Sequence, residues 1–371
     1  MRLGEQPYGP LPQTSSGGGH MSESHGGAMS LHDFIHEMPK VELHVHLEGS
    51  IRPSTLLALA KRNGVDLPTH DLAGLREFYS FTNFDHFIQV YTIISSCLRT
   101  VDDYALIAYE FGADLARQNI RYAEVTFTPH PNVTRTGLPF DEILAGLNEG
   151  RARAQADFGV EFGWVLDISR NNVDSRHQVA AWATQAMERG VVGFGLGGPE
   201  NGFPPEWFAD AYAVAREAGL HSVPHAGEVV GPKSVWGALR TLQAERIGHG
   251  VRCLEDPTLV EYLRQQQIPL EICPTSNLCL GVYPSYQAHP IRRLWEQGLY
   301  VTVNSDDPPM FNTDLVRECQ VLADHLGFTA ADLERLSLNA LRASFLPASQ
   351  KATLERTFLA EFVRLRTEYL S

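Results

Sequence analysis

The chain has no run of lysine and arginine, no apolar stretch near the roughly 20 residues needed to cross a bilayer, and no Cys-x-x-Cys pair. Each absence excludes a class of function. Lys and Arg total 30 against 44 Asp and Glu, and the formal net charge of −14 repels phosphate, so neither nucleic acid nor an anionic membrane surface is an expected partner. The five cysteines, Cys97, Cys253, Cys273, Cys279 and Cys319, are odd in number and scattered, which indicates neither a disulfide framework nor a zinc knuckle and fits a reducing cytoplasm. Residues 1–30 hold Gly, Ser, Pro and His but no apolar core of a signal peptide. They read as a disordered tail outside the fold, with Met21 and Met29 as alternative starts and with His20 and His25 belonging to the tail rather than to a metal tract.

What is present is enough apolar sequence, 43% of 371 residues, to bury a large core. From residue 31 to 371 no linker or repeat interrupts the pattern, and a single domain is expected. Short β-rich runs at 41–47, 120–128, 161–168, 191–196, 220–224, 245–248, 268–273 and 299–304 alternate with helical patterns at 53–63, 101–118, 139–157, 175–189, 205–218, 232–243, 256–266 and 290–298. Eight such units predict an α/β fold, a (β/α)8 TIM-type barrel. Three further helices, at 312–325, 329–341 and 349–369, follow the last strand. The segment 66–98 is longer than a crossover needs and, with a helix at 84–98, is expected to form a helical lid.

The polar residues of interest fall where these strands end, the catalytic face of a barrel. His44 and His46 alternate along one strand and therefore point the same way, as two ligands of one ion would. His225 ends the fifth strand and Asp306 the eighth. Three imidazoles and a carboxylate suit a divalent ion, zinc by first choice. The fourth strand ends in Gly195-Leu196-Gly197-Gly198-Pro199-Glu200, without the lysine that bridges paired metals when carboxylated, so a single ion is expected.

Glu228, three residues beyond His225, is placed to act as a general acid rather than merely to cap a helix. His249 lies between two glycines in Arg246-Ile247-Gly248-His249-Gly250; a role acting on the water is favoured over that of a fourth imidazole ligand. Asp306 and Asp307 diverge if the chain is extended there, leaving Asp307 to face the ring nitrogen of a substrate. Gly197 and Gly198 allow backbone N–H groups to approach a flat ligand, whereas no phosphate-loop spacing is present. Glu48 lies at the mouth, where it can meet a polar substituent or cap the helix that begins near Pro53. Phe81, Phe84 and Phe87 read as core packing more readily than as a stacking wall.

Five segments carry a resemblance that spans nearly all of residues 38–365: Met38 to Gly49 (MPKVELHVHLEG), His225-Ala226-Gly227-Glu228, Arg246 to Gly250, Cys273-Pro274-Thr275-Ser276-Asn277, and Asn304-Ser305-Asp306-Asp307-Pro308. Together they resemble the adenosine deaminase family of the amidohydrolase superfamily. The resemblance implies a one-zinc barrel that hydrolyses the 6-amino group from a small-molecule purine. It places zinc on His44, His46, His225 and Asp306, the proton donor to N1 at Glu228, the water-activating histidine at His249, Asp307 near N7 and the Gly198 N–H near N3, and it is compatible with a homo-oligomer. Glu48 stands where adenosine deaminases usually carry Asp, and Gly195 and Pro199 where many have Asp. The stretches 195–200, 79–84 and 304–311 are similar to the branch of aminodeoxyfutalosine deaminases, whose substrate keeps adenine and ribose but extends the 5′ position with a benzoate-bearing arm. Conversion of adenosine to inosine is the leading expectation. Aminodeoxyfutalosine or adenine as substrate is the alternative within the family. A barrel hydrolase acting on a pterin or cyclic amide, and a catalytically silent nucleoside-binding homologue, are the rivals outside it.

Overall fold

The computed structural model describes residues 30–371; the tail expected over 1–30 lies outside the described residues apart from Ser30. Eight parallel strands follow one another around a barrel in chain order. They are β1 (Lys40–His46), β2 (Ile120–Phe127), β3 (Glu161–Ser169), β4 (Val191–Gly197), β5 (His221–Ala226), β6 (Ile247–His249), β7 (Leu270–Ile272) and β8 (Val301–Val303). The barrel closes through the residues just beyond β8: the His46 N–H donates to the Asp306 carbonyl at 2.9 Å and the Asp306 N–H to the His44 carbonyl at 3.1 Å. Side chains reinforce this seam, because the Leu43 N–H donates to Asn304 Oδ1 at 2.9 Å and the Ser305 N–H to Glu42 Oε1 at 2.9 Å. Among the described residues, no helix is long and apolar enough to cross a membrane, and all five cysteines are unpaired.

The expected strands and helices are present with shifted ends. The last three strands are only three residues each, and His225 lies in the last two residues of β5, at the strand end where it is expected. Helices that pattern reading passed over, Pro129–Thr136, Pro274–Cys279 and Pro308–Phe311, each start with proline directly after a strand or its seam residues. Proline suits that first helical position because its missing N–H would have had no partner there. Leu31–Glu37 and Leu72–Phe78 were also unforeseen; the first starts at a capping box of Ser30 and Asp33. The span 205–218 divides into a 3-10 turn, Pro205–Phe208, and a helix, Ala209–Glu217. The three C-terminal helices are Leu315–Leu326, Ala330–Ala343 and Ala348–Tyr369.

Within 66–98, helix Phe84–Ser95 lies across the turn that follows β1, with the Tyr91 hydroxyl donating to Glu48 Oε2 at 3.3 Å. Phe81 and Phe87 pack on Phe311, at ring distances of 5.8 and 5.4 Å, and Phe84 packs on Phe87 at 5.9 Å, so these aromatics join the insertion to the barrel.

Helices Val101–Arg117 and Phe140–Phe158 approach closely because Gly146 and Gly150 present no side chain. A Cβ on Gly150 would lie 2.8 Å from Ala108 Cβ and closer still to the Ala105 carbonyl oxygen, which as backbone cannot turn aside. Gly150→Ala should therefore cost about 2 kcal/mol and lower Tm by several degrees despite alanine's better helix propensity, as measured by thermal unfolding. A Tm at or above that of the parent would show that the helices can move apart freely.

Candidate active site

β1 delivers His44 and His46 to the barrel mouth, β5 His225, β6 His249 and the seam Asp306, and all five converge. Ligand atoms of His44, His225, His249 and Asp306 lie within 4.8 Å of one another. His46 Nε2 approaches from the other side, 3.2 Å from His225 Nε2 and 3.3 Å from Asp306 Oδ1. The second grouping within 4.8 Å joins His46 to Asp306 and Asp307. Asp306 is the member common to both groupings.

Asp306 adopts φ +65°, a left-handed conformation, so the expectation of an extended Asp306–Asp307 pair does not hold. The turn keeps the two carboxylates within 4.8 Å of each other but gives them different surroundings. Asp306 Oδ2 accepts from Ser276 Oγ at 2.6 Å, while Asp307 Oδ1 is buried without a partner. His249 is likewise left-handed, with φ +63°, which turns its imidazole into the mouth at the end of β6.

His44 is fixed by a chain of buried charges. Its Nδ1 lies 2.9 Å from Glu271 Oε2, Glu271 Oε1 accepts from Arg246 Nε at 2.6 Å, and Arg246 Nη2 donates to Glu124 Oε2 at 2.5 Å. With Nδ1–H donated to Glu271, the Nε2 lone pair points into the cluster, and that buried nitrogen has no hydrogen-bond partner. A buried, unpartnered imidazole nitrogen facing other imidazoles and a carboxylate is what a bound cation satisfies, so these residues fit a metal ion.

The local field separates the titratable groups. Burial disfavours charge on His44, but Asp306 and Glu271 outweigh it and raise its pKa to about 9. Burial and the neighbouring His44 push His249 down to about 3, which leaves that imidazole neutral and able to accept a proton. Glu228 is buried close to Asp306 and Glu200, and its pKa lies well above the usual carboxylate range. Its Oε1 has no partner and its Oε2 is 3.7 Å from His249 Nε2. A carboxyl kept protonated beside a neutral imidazole is an acid next to a base. Burial and Asp306 raise Asp307 in the same way.

Glu48 sits at the mouth and opens a 3-10 turn, Glu48–Ser50. Its Oε1 accepts from Asn132 Nδ2 at 2.8 Å and from the Thr128 N–H at 3.2 Å, and its Oε2 accepts from Tyr91. Gly198 turns the chain after β4 with φ +83°. Sequence reading singled out neither Glu271 nor Asp167. Asp167 on β3 is buried, has an unpartnered Oδ1, and occupies the space that Gly197 leaves, where a Cβ would lie 2.6 Å from Asp167 Oδ2. Both acids sit on strands as inward-facing residues in otherwise apolar runs, and that placement was the available signal.

Imidazoles and carboxylates gathered at the C-terminal mouth of a parallel barrel define a class of hydrolases that work through a bound cation. The family described as adenosine deaminase matches residues 39–359, and the chain belongs to that family of hydrolytic deaminases. It is 43% identical over 327 residues to the aminodeoxyfutalosine deaminase of Streptomyces coelicolor, covering 87% of this chain and 84% of that one. Among solved structures, the adenine deaminase of Arthrobacter aurescens superposes with a TM-score of 0.83 at 34% identity, covering 88% of this chain and 98% of that one. An amidohydrolase of Burkholderia ambifaria with bound Zn superposes with a TM-score of 0.86 at 29% identity, covering 94% and 97%.

Glu271→Gln should weaken metal binding about 10- to 100-fold in chelator competition, because it weakens the acceptor that orients His44; unchanged affinity would detach Glu271 from the centre. Proton and cation compete for the His44 Nε2 lone pair. With that imidazole held near 9, apparent metal affinity should climb about tenfold per pH unit from about pH 6 and level off above about 9. A flat profile over that range would contradict the competition.

Proposed function

We propose that the protein removes the 6-amino group from an adenine nucleoside modified at its 5′ position, aminodeoxyfutalosine being the leading candidate and adenine the second. The observation that carries this reading is the 43% identity over 327 residues to an aminodeoxyfutalosine deaminase, which favours that substrate over adenosine, the one first expected from the sequence. Glu48, which stands where adenosine deaminases usually carry Asp, is held in place at the mouth by Asn132 and Thr128 on Oε1 and by Tyr91 on Oε2, and Oε2 keeps acceptor capacity for a substrate hydroxyl. The 34% identity to an adenine deaminase keeps the free base as the second candidate.

The donor set of three imidazoles and a carboxylate, His44, His46, His225 and Asp306, would hold one ion, zinc by its preference for nitrogen and carboxylate ligands. When bound, such an ion acidifies a coordinated water to a pKa of about 7. His249, neutral and beside Asp306, is placed to orient a water toward C6 and to accept its proton. Glu228 gives its proton to N1, which breaks the ring's aromaticity and makes C6 electrophilic. The water oxygen bonds to C6, the proton taken from the water passes to the amino group, the C6–N bond breaks and ammonia leaves, and the C6 hydroxyl returns a proton to Glu228 to give the 6-oxopurine with its N1–H. Asp307, held protonated, donates toward N7, and the Gly198 N–H faces N3, so the ring is gripped along the edges that do not react.

Glu228→Gln removes the transferable proton with little change in shape. It should lower kcat by about a thousandfold while metal content by elemental analysis stays at the parent level; near-normal turnover would discard the acid assignment. Substrate choice is read by comparing kcat/KM on aminodeoxyfutalosine, adenine and adenosine. Aminodeoxyfutalosine should lead by about tenfold or more, and a clear preference for adenosine would overturn the proposed substrate.

A further inference from the structure

The loop after β5, residues 227–230, carries Glu228, and its backbone is organised around a single side chain from the loop after β4. Glu200 is buried at 5% exposure. Its Oε1 accepts from the Gly227 N–H at 2.8 Å and from Ser234 Oγ at 2.6 Å. Its Oε2 accepts from the N–H groups of Glu228 at 3.1 Å, Val229 at 2.7 Å and Val230 at 2.8 Å. Four consecutive amides thus converge on one carboxylate, the backbone nest that other proteins use to hold phosphate, here filled by the chain's own anion. From the other side Arg252 Nη1 donates to the Val229 carbonyl and the Arg252 N–H to the Gly227 carbonyl at 3.0 Å, so the loop is clamped between β4 and β6.

Glu228 itself has no comparable anchor. Its Oε1 is unpartnered and its Oε2 reaches His249 only at 3.7 Å, so the direction of the carboxyl is set by its backbone, and the backbone is set by Glu200. Metal-donor geometry does not run through Glu200, since His225 lies within β5 before the clamped amides begin. We propose that Glu200 is a positioning residue for proton transfer: it fixes the 227–230 loop so that the Glu228 carboxyl meets N1 of the purine. This rests on the reading of Glu228 as the acid. Glu200 follows Gly198 by two residues, so one short turn offers both a backbone N–H to the ring and a clamp to the acid.

The variants Glu200→Gln and Ser234→Ala, prepared with metal, test this. An amide in place of the carboxylate keeps the shape but sets an NH2 against a row of N–H donors; Ser234→Ala removes one of the five bonds and leaves the rest. For Glu200→Gln, kcat should fall about 100-fold, with KM and metal content within about twofold of the parent. Ser234→Ala should lose roughly threefold in kcat. Hydrogen exchange of the Glu228, Val229 and Val230 amides should quicken in both. Parent-like kcat with those amides still protected overturns the proposal, and so does a loss of kcat that follows a loss of metal. If Glu200→Gln does not fold, Ser234→Ala decides by the same two readouts. If the parent deaminates no 6-aminopurine, the proposed function falls, and exchange alone decides the clamp: amides that stay protected overturn it.

Discussion

The seam that closes the barrel is the constraint on which the rest depends. In most parallel barrels the first and last strands meet through an ordinary ladder; here β8 stops at Val303 and the next residues complete the pairing. The backbone of Asp306 bonds on both sides, giving its N–H to His44 and accepting from His46. The residue that shuts the barrel is therefore also the acid at the centre of the histidine cluster. Its left-handed φ lets one short segment pair with β1 and still turn its carboxylate inward. Strain of this kind persists only where surrounding contacts over-determine it, and Asn304, Ser305 and Ser276 supply those contacts.

Behind the seam lies a barrel interior that is unusually charged. Glu42, Glu124, Arg246 and Glu271 are all buried; Glu124, Arg246 and Glu271 form one connected chain of hydrogen bonds, and Glu42 accepts from Ser305 at the seam. Arg246 pairs with two carboxylates, and one of these also binds His44. Replacing such a network by apolar side chains need not reduce stability, so its presence is better explained by what it orients than by what it stabilises. The same holds for Glu200, which spends a buried carboxylate on four backbone amides.

Much of this was legible in the chain. Alternating β-rich runs and amphipathic stretches announced eight units because each strand is buried on both faces and each helix on one. The histidine and aspartate positions stood out because short polar motifs followed apolar runs. Element ends were less legible: β6, β7 and β8 are three residues each, too short for any period to define. Pro129, Pro274 and Pro308 each begin a short helix, which the proline alone does not announce because it suits a turn equally well; only the preceding strand resolves that ambiguity. Nothing local forces Asp306 into the left-handed region, so the sequence predicts an extended residue; pairing with a strand about 260 residues earlier imposes the turn. Asp167, Glu200 and Glu271 were passed over because a lone acid in an apolar run acquires meaning only from its partners, and those are distant in sequence.

The seam also sets a timetable for biosynthesis. His44 and His46 emerge from the ribosome first, and Asp306, which belongs to both of the groupings they join, emerges about 260 residues later. Until then the two N-terminal imidazoles have neither their carboxylate partner nor the backbone that fixes their spacing, and they offer a cation no more than an exposed strand would. An ion held by the proposed donor set would be bound only once the last β/α unit is complete. A chain truncated anywhere before that point would lack the carboxylate that both groupings share.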